Sequence, residues 1–256
     1  MIKRKFISFV LMVLILSTGC ITEINLDEEG DKENITILLP TLEITEDIVA
    51  PTTWESDFVY IILKWDFHIK SELTIEAGAV IKFHPNEGPL LKVEGNGVIL
   101  ANGTFHKPII FTSLKDDKHG GNSNNDSISI PEAGDWRGIY IEEDGSVFEN
   151  CSFYYCGPNQ AIEIWDSSVK IHNSLFAHNQ GIALNARKAT QRTIISNTTF
   201  YENEKPLSIN TAFDIDDSNR FHNPQNPSQN NTYNGIFLEY TSSFKNNVTW
   251  LETEVP

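Results

Sequence analysis

Ile139-Tyr140-Ile141-Glu142, Ile162-Glu163-Ile164-Trp165, Ile182-Ala183-Leu184-Asn185 and Leu207-Ser208-Ile209-Asn210 follow one another at intervals of 23, 20 and 25 residues, each with aliphatic side chains first and third. A second series runs in step with it: Asn150-Cys151-Ser152-Phe153, Asn173-Ser174-Leu175-Phe176 and Asn197-Thr198-Thr199-Phe200, at intervals of 23 and 24. Two unrelated motifs holding one period predict that each copy is one turn of a solenoid, with equivalent positions about 4.8 Å apart on stacked parallel strands. The aliphatic pairs then form inward columns, and the phenylalanines stack in the interior. The asparagines are expected at a corner, laddered through their amides, because asparagine tolerates the left-handed backbone of a tight turn. A β-sandwich or propeller also spaces short strands in this way, but neither needs the same side chain at one register of successive turns.

Working outward, the period-two alternation of Ile61, Leu63, Trp65, Phe67 and Ile69 with polar neighbours reads as a half-buried strand. Further short strands are expected around Leu73, Val80, Leu91, Val98 and Ile109, separated by Gly, Asn and Pro turns. No helical periodicity occurs after the first twenty residues, so the fold class is all-β. Three segments carry a family resemblance. They are Leu73-Thr74-Ile75-Glu76-Ala77-Gly78-Ala79-Val80-Ile81-Lys82-Phe83, Ala101-Asn102-Gly103-Thr104 leading to Pro108-Ile109-Ile110-Phe111-Thr112-Ser113, and Gly134-Asp135-Trp136-Arg137-Gly138-Ile139. Together they resemble the opening rungs of right-handed parallel β-helix surface proteins, a non-catalytic branch of the pectate-lyase-like solenoids. The resemblance covers roughly residues 53 to 210 and implies a fold rather than an activity, since one solenoid hosts many functions.

The first residues read as a secretory leader over 1–19: Lys3, Arg4 and Lys5, an apolar run from Phe6 to Leu16, then Ser17-Thr18-Gly19 before Cys20. The run is too short to span a bilayer, and the small residues look like a lipoprotein processing site, with Cys20 as the lipid attachment point and the membrane as its partner. Residues 20–52 are acidic with few aromatics and are expected to be a tether, although Ile35 to Leu39 has the composition of a short strand. The β-helix is placed at 53–248. Thr249-Trp250 followed by Val255 repeats Thr53-Trp54 followed by Val59, so 249–256 reads as the start of a shortened second unit, and Asn234 to Trp250 as the segment that closes the rod. Ser218-Asn219-Arg220-Phe221 reads as a damaged copy of the asparagine-phenylalanine motif. The expected location is extracytoplasmic, at the cell surface or in the periplasm.

With 19 basic and 35 acidic residues the chain carries a net charge of −16, and −19 once Lys3, Arg4 and Lys5 are removed with the leader. No basic stripe remains for phosphate backbones, which excludes nucleic acid as a partner. Cys151 and Cys156 can form a disulfide in an exported protein, or serve as two small side chains on adjacent rung positions.

The largest departure from the rung pattern is the insertion Lys115 to Ser127. Oxygens of Asp116, Asp117, Asn124 and Asp126 crowd there between glycines, a donor set suited to Ca²⁺, although not at EF-hand spacing. Strand alternation puts Tyr140, Glu142, Glu163, Trp165, Asn185 and Asn210 on one outward face. Aromatics beside carboxylates and amides suit a polysaccharide or another cell-envelope component, including a surface protein. A polysaccharide lyase or glycoside hydrolase is the alternative, since Glu142 and Glu163 stand on neighbouring rungs and hydrolysis needs two facing carboxylates. The Gly-His-Gly and Arg-x-Lys signatures of polygalacturonases are missing, and His172 and His178 read as exposed turn residues without a nucleophile partner.

Overall fold

The computed structural model describes residues 39–85, 88–126, 128–211, 214–238, 248–251 and 254–256, and before residue 39 only the backbone of three antiparallel strands, Leu11–Leu14, Ile21–Leu26 and Glu33–Leu38. Cys20 and the side chains of the leader and of the tether up to residue 38 lie outside the described residues. From residue 41 the chain winds through three parallel sheets in rotation. The first sheet stacks Asp66–Ile69, Leu90–Val93, Gly138–Ile141, Gln160–Trp165, Ile182–Lys188, Lys205–Ile209 and Ile236–Leu238. The second stacks six strands from Thr52–Trp54 to Ile194–Ser196, and the third seven from Thr41–Ile44 to Thr199–Tyr201. This is an all-β parallel solenoid, as the repeats predict.

Its interior is built of columns. Phe111, Phe153, Phe176, Phe200 and Phe221 stack face to face with ring centroids 4.9, 4.6, 5.2 and 5.5 Å apart. Phe221 therefore extends the stack, although its sequence copy looked damaged. Ile139, Ile162, Leu184 and Leu207 share one register in the first sheet. The third sequence copy is thus displaced by two from the alignment above: Leu184-Asn185-Ala186, not Ile182-Ala183-Leu184, matches Ile162-Glu163-Ile164. A shift of two residues keeps the same side chains on the same face. With Leu184 in register the intervals from Ile139 to Leu207 become an even 23, 22 and 23, and the register irregularity falls only after Glu163, where Trp165 pairs with Lys188.

The corners correct a second expectation. Asn150, Asn173 and Asn197 do adopt left-handed φ values of 49°, 51° and 49°. Asn173 and Asn197 are nevertheless exposed, and none of the three bonds to another through its amide. The ladder lies at the next corner, three residues after each phenylalanine. Asn179 Nδ2 donates to Asn203 Oδ1 at 2.9 Å and Asn203 Nδ2 to Asn231 Oδ1 at 2.8 Å, while each of these donors also reaches a backbone carbonyl, of Phe153 and Phe176 respectively. Cys156 occupies the same column one rung earlier, its N–H donating to Asn179 Oδ1 at 2.8 Å. A smaller ladder follows the left-handed asparagines, where Cys151 N–H donates to Ser174 Oγ and Thr198 N–H to Asn219 Oδ1. Cys151 and Cys156 are both buried and free, each filling a ladder position.

The solenoid begins before residue 53. Thr41–Ile44 pairs with Val59–Ile62, and Ile48 bridges Ile69, so 41–52 forms most of a first rung rather than tether. Its acidic composition concealed this because Asp47 is neutralised by the rung above: its carboxylate accepts from Lys64 Nζ at 2.6 Å and from the His68 N–H at 2.8 Å. Burial acts to raise the Asp47 carboxyl, but these bonds hold it below the usual range. Trp54 plugs this end, stacked 4.8 Å from Tyr60. At the other end Ile236–Leu238 adds the last strand of the first sheet, and Trp250 forms a parallel bridge to Ile215. Val255 packs on the core and the Pro256 carbonyl accepts from the Ile236 N–H. Residues 249–251 and 254–256 thus fold onto this solenoid, with Trp250 taking the place beside Ile215 that Trp54 takes beside Ile75.

The ladder gives a sharp contrast between two asparagines six residues apart. Asn203→Ala strands buried partners above and below and is expected to cost about 3 kcal/mol or more. Asn197→Ala only removes the short polar side chain that eases the left-handed turn and is expected to cost about 1 kcal/mol. Urea denaturation of both variants checks the order; equal losses would remove the ladder from its structural role.

Candidate functional site

On the outward face of the first sheet, Tyr140, Glu163 and Asn185 stand in one column on consecutive rungs. Glu163 is half-buried, with Oε2 accepting from Gln160 Nε2 at 2.6 Å and Oε1 from Asn185 Nδ2 at 3.1 Å. Burial pushes its carboxyl above the usual range, against the pull of Arg187 and Gln160. Asn185 is itself buried and accepts from Arg187 Nε at 3.0 Å. Tyr140 donates its hydroxyl to Glu142 Oε1 at 3.1 Å, and burial with this bond pushes the phenol to about 12. The exposed Trp165 ring lies 6.4 Å from that of Tyr140 and carries the Lys188 ammonium over its face at 5.8 Å.

The structure therefore brings together Tyr140, Glu142, Glu163, Trp165 and Asn185, but not Asn210. Asn210 is buried at the corner, where its amide donates to the carbonyls of Arg187 at 2.9 Å and Ala189 at 2.8 Å, because the strand ends at Ile209. Both carboxylates on this face are held by neutral donors, and the face closes on itself.

The insertion folds over the outer face of the third sheet. There Val59, Ile61, Val80, Ile110 and Leu114 form a second apolar cluster outside the solenoid wall. Lys82 also points outward yet is fully buried, donating to the carbonyls of Asp116 at 2.9 Å and Gly121 at 2.6 Å. From the insertion Asp116 faces the sheet, accepting from Thr112 Oγ1 at 2.7 Å and from the Lys118 N–H at 3.1 Å, with His119 Nδ1 at 2.7 Å. Burial acts to raise its carboxyl, but the His119 and Thr112 bonds hold it below the usual range. Asn124 bonds Ser129, and its Oδ1 accepts from the Asp126 N–H. Among the described residues no group of three or more His, Cys, Asp or Glu side chains is placed to hold a metal ion, so Asp116, Asp117 and Asp126 do not converge.

Beside the insertion the same sheet carries rings that sequence reasoning passed over. His119 lies parallel to Tyr154 at 5.1 Å, and His178 stacks on Tyr155 at 5.5 Å with the Tyr201 ring edge-on at 5.9 Å. His178 is half-buried rather than exposed. Burial pulls its imidazole below the ordinary range although Glu202, 3.3 Å away, acts to raise it. Burial also pushes the Tyr154 phenol up to about 12, so it stays a neutral hydroxyl. Tyr155, His178 and Glu202 are stacked left-handed corner residues with φ of 59°, 59° and 52°, each immediately preceding a ladder position. The signal was present in Phe153-Tyr154-Tyr155-Cys156, Phe176-Ala177-His178-Asn179 and Phe200-Tyr201-Glu202-Asn203, but the phenylalanine drew attention to the interior.

Two hollows meet at Tyr154. One, of about 440 Å³, is lined by residues including His106, Lys107, His119 and Ser152; the other, of about 420 Å³, by residues including Asn173, Asn197, Thr199 and Tyr201. The family model described as a right-handed beta helix region matches residues 120–250. The chain belongs to the right-handed β-helix family. No curated protein and no solved structure matches this β-helix. The membership accounts for the stacked rungs and leaves the chemistry of the outer faces to this chain's own residues.

Lys82 makes the latch between insertion and sheet measurable. Burial lowers its pKa to about 8, against the effect of Asp116 and Asp117. The folded protein then releases this proton before the unfolded chain does, so stability from this group rises as pH climbs from 8 towards 10. Lys82→Met is expected to abolish a rise of about 2 kcal/mol over that window. Urea midpoints of the two proteins at pH 8 and pH 10 provide the check.

Proposed function

We propose that this β-helix is an extracytoplasmic binding module, held to a membrane through a lipid on Cys20, that takes up carbohydrate on the outer face of its third sheet without cleaving it. The observation that carries the reading is the pair of hollows joined at Tyr154. Saccharide sites are concave, with rings to cover apolar sugar faces and a few fixed polar groups for hydroxyls. Tyr154, Tyr201 and His119 supply the rings; Ser152, Thr199, Asn173 and Asn197 supply the hydroxyls and amides. The first-sheet face supports the reading less, because Gln160 and Asn185 already donate to Glu163 and Tyr140 to Glu142. Anchorage rests on the basic residues, apolar run and small residues that precede Cys20.

Two measurements test this reading. Full-length protein is expected in the membrane fraction and Cys20→Ser in the soluble fraction. Immobilised polysaccharides are expected to retard the detergent-solubilised protein, with retardation at least fivefold weaker for Tyr201→Ala at an unchanged melting temperature. Release of reducing or unsaturated ends from any polysaccharide would instead favour a hydrolase or lyase.

A further inference from the structure

Seven asparagines stand two residues before a serine or threonine, with a residue other than proline between: Asn34, Asn102, Asn125, Asn150, Asn197, Asn230 and Asn247. An eighth, Asn226, is followed by Pro227 and does not qualify. In an exported chain this spacing marks acceptors for N-linked glycans, provided that the amide and the hydroxyl can both be reached at the surface. Four of the triplets, at Asn102, Asn150, Asn197 and Asn230, lie wholly within the described residues, and the fold treats them differently.

Asn102 and Asn230 present the motif outward. Each is exposed, the residue after it (Gly103 or Asn231) is buried, and the threonine beyond (Thr104 or Thr232) is exposed again. Extended backbone sends residues i and i+2 to one side, so amide and hydroxyl emerge together. Neither asparagine side chain hydrogen-bonds to another described residue. Thr104 Oγ1 accepts from the Lys107 N–H at 3.1 Å, which leaves its proton and a second lone pair free. The turn after Asn102 stands clear of the wall, with Phe105, His106 and Lys107 all exposed. Asn230 is engaged through its backbone, its carbonyl accepting from the Glu202 N–H at 3.1 Å. Asn150 and Asn197 sit instead at left-handed corners, both with φ of 49°, where the strand alternation is broken. Ser152, the hydroxyl partner of Asn150, is only 6% exposed, and the Asn150 amide already donates to the Gly103 carbonyl at 3.2 Å. Thr199, the partner of Asn197, is half-buried in the wall of the second hollow with Tyr201.

We infer that Asn102 and Asn230 each carry an N-linked glycan, and that Asn150 and Asn197 stay bare. The donor is a polyprenyl-phosphate-linked oligosaccharide, and the step is run by a membrane transferase on the outer side of the membrane. The asparagine Nδ2 attacks the anomeric carbon of the donor. The N–C bond forms as the C–O bond to phosphate breaks, the polyprenyl phosphate leaves with the bonding electrons, and the amide gives up one proton to a base of the transferase. Attachment at Asn102 or Asn230 breaks no bond within the solenoid, whereas a glycan on Asn150 would displace its amide from the Gly103 carbonyl. The inference rests on the export part of the reading above and is independent of the binding part.

The test is mass spectrometry of the full-length protein isolated from the membranes of its own organism, read intact and as protease fragments under conditions that keep sugar on its residue. Sugar is expected on Asn102 and Asn230 and none on Asn150 or Asn197. Asn102→Gln and Asn230→Gln should each lower the intact mass by one glycan, and Asn150→Gln by none. Thr104→Ala should lose the glycan at Asn102 and Thr104→Ser should keep it, which separates recognition of the triplet from mere exposure of the asparagine. Asn102, Thr104 and Asn230 are exposed, so these variants are expected to melt at the temperature of the parent chain stripped of its glycans. A bare Asn102 or Asn230 on protein that reaches the membrane, or sugar on Asn150 or Asn197, overturns the inference and leaves export standing. Bare protein that remains inside the cell with its leader attached overturns both.

Discussion

Everything in this molecule depends on keeping successive rungs in register, and the buried amides at one corner are what hold that register. A parallel strand pair can slide by two residues and still bury the same face. Apolar columns therefore tolerate a slip that a chain of directional hydrogen bonds does not. Asn179, Asn203 and Asn231 bond one another and the carbonyls that close each turn, so a shifted rung would leave buried donors and acceptors unpaired. The phenylalanine stack next to them supplies burial. The ladder supplies the phase.

Fixing the phase fixes the outer faces. Because equivalent residues recur one rung apart, outward side chains form columns whose spacing suits an extended ligand or a folded-back loop. The third sheet uses this twice. Near the first rungs, its outward Val59, Val80 and Ile110 cannot face water and are covered by the insertion, which brings the otherwise costly Lys82 and Asp116 into contact with partners. Further along, the insertion ends its cover and the outward positions become Tyr154, Thr199 and Tyr201, which line open hollows. His119 belongs to both roles, since the carboxylate that ties it to the latch also aims it at the hollow.

The first sheet shows the opposite outcome from similar residue types. Tyr140, Glu163 and Asn185 have the composition of a ligand site, yet Asn185 donates to Glu163 on the neighbouring rung and Tyr140 to Glu142 two residues along the chain. Side chains stacked on adjacent rungs make good partners and therefore a self-contained surface. A hollow requires something that stands proud of the sheet, here the Thr104–Lys107 turn and the insertion. This is why the more inviting sequence pattern lies on the flatter face.

By itself the sequence determined the solenoid, its three interior columns and the left-handed corner asparagines, because each depends on a residue type repeating at the period of one rung. It also marked the insertion as a departure from that period. Only the tertiary structure decided which asparagines form the ladder, that residues 41–52 belong to the first rung, and that the third sheet rather than the first carries the hollows. The physical reason is the same in each case. A period identifies equivalent positions, but whether an amide, a carboxylate or a ring is satisfied depends on neighbours about 20 or more residues away in the chain, and that pairing exists only once the rungs have stacked.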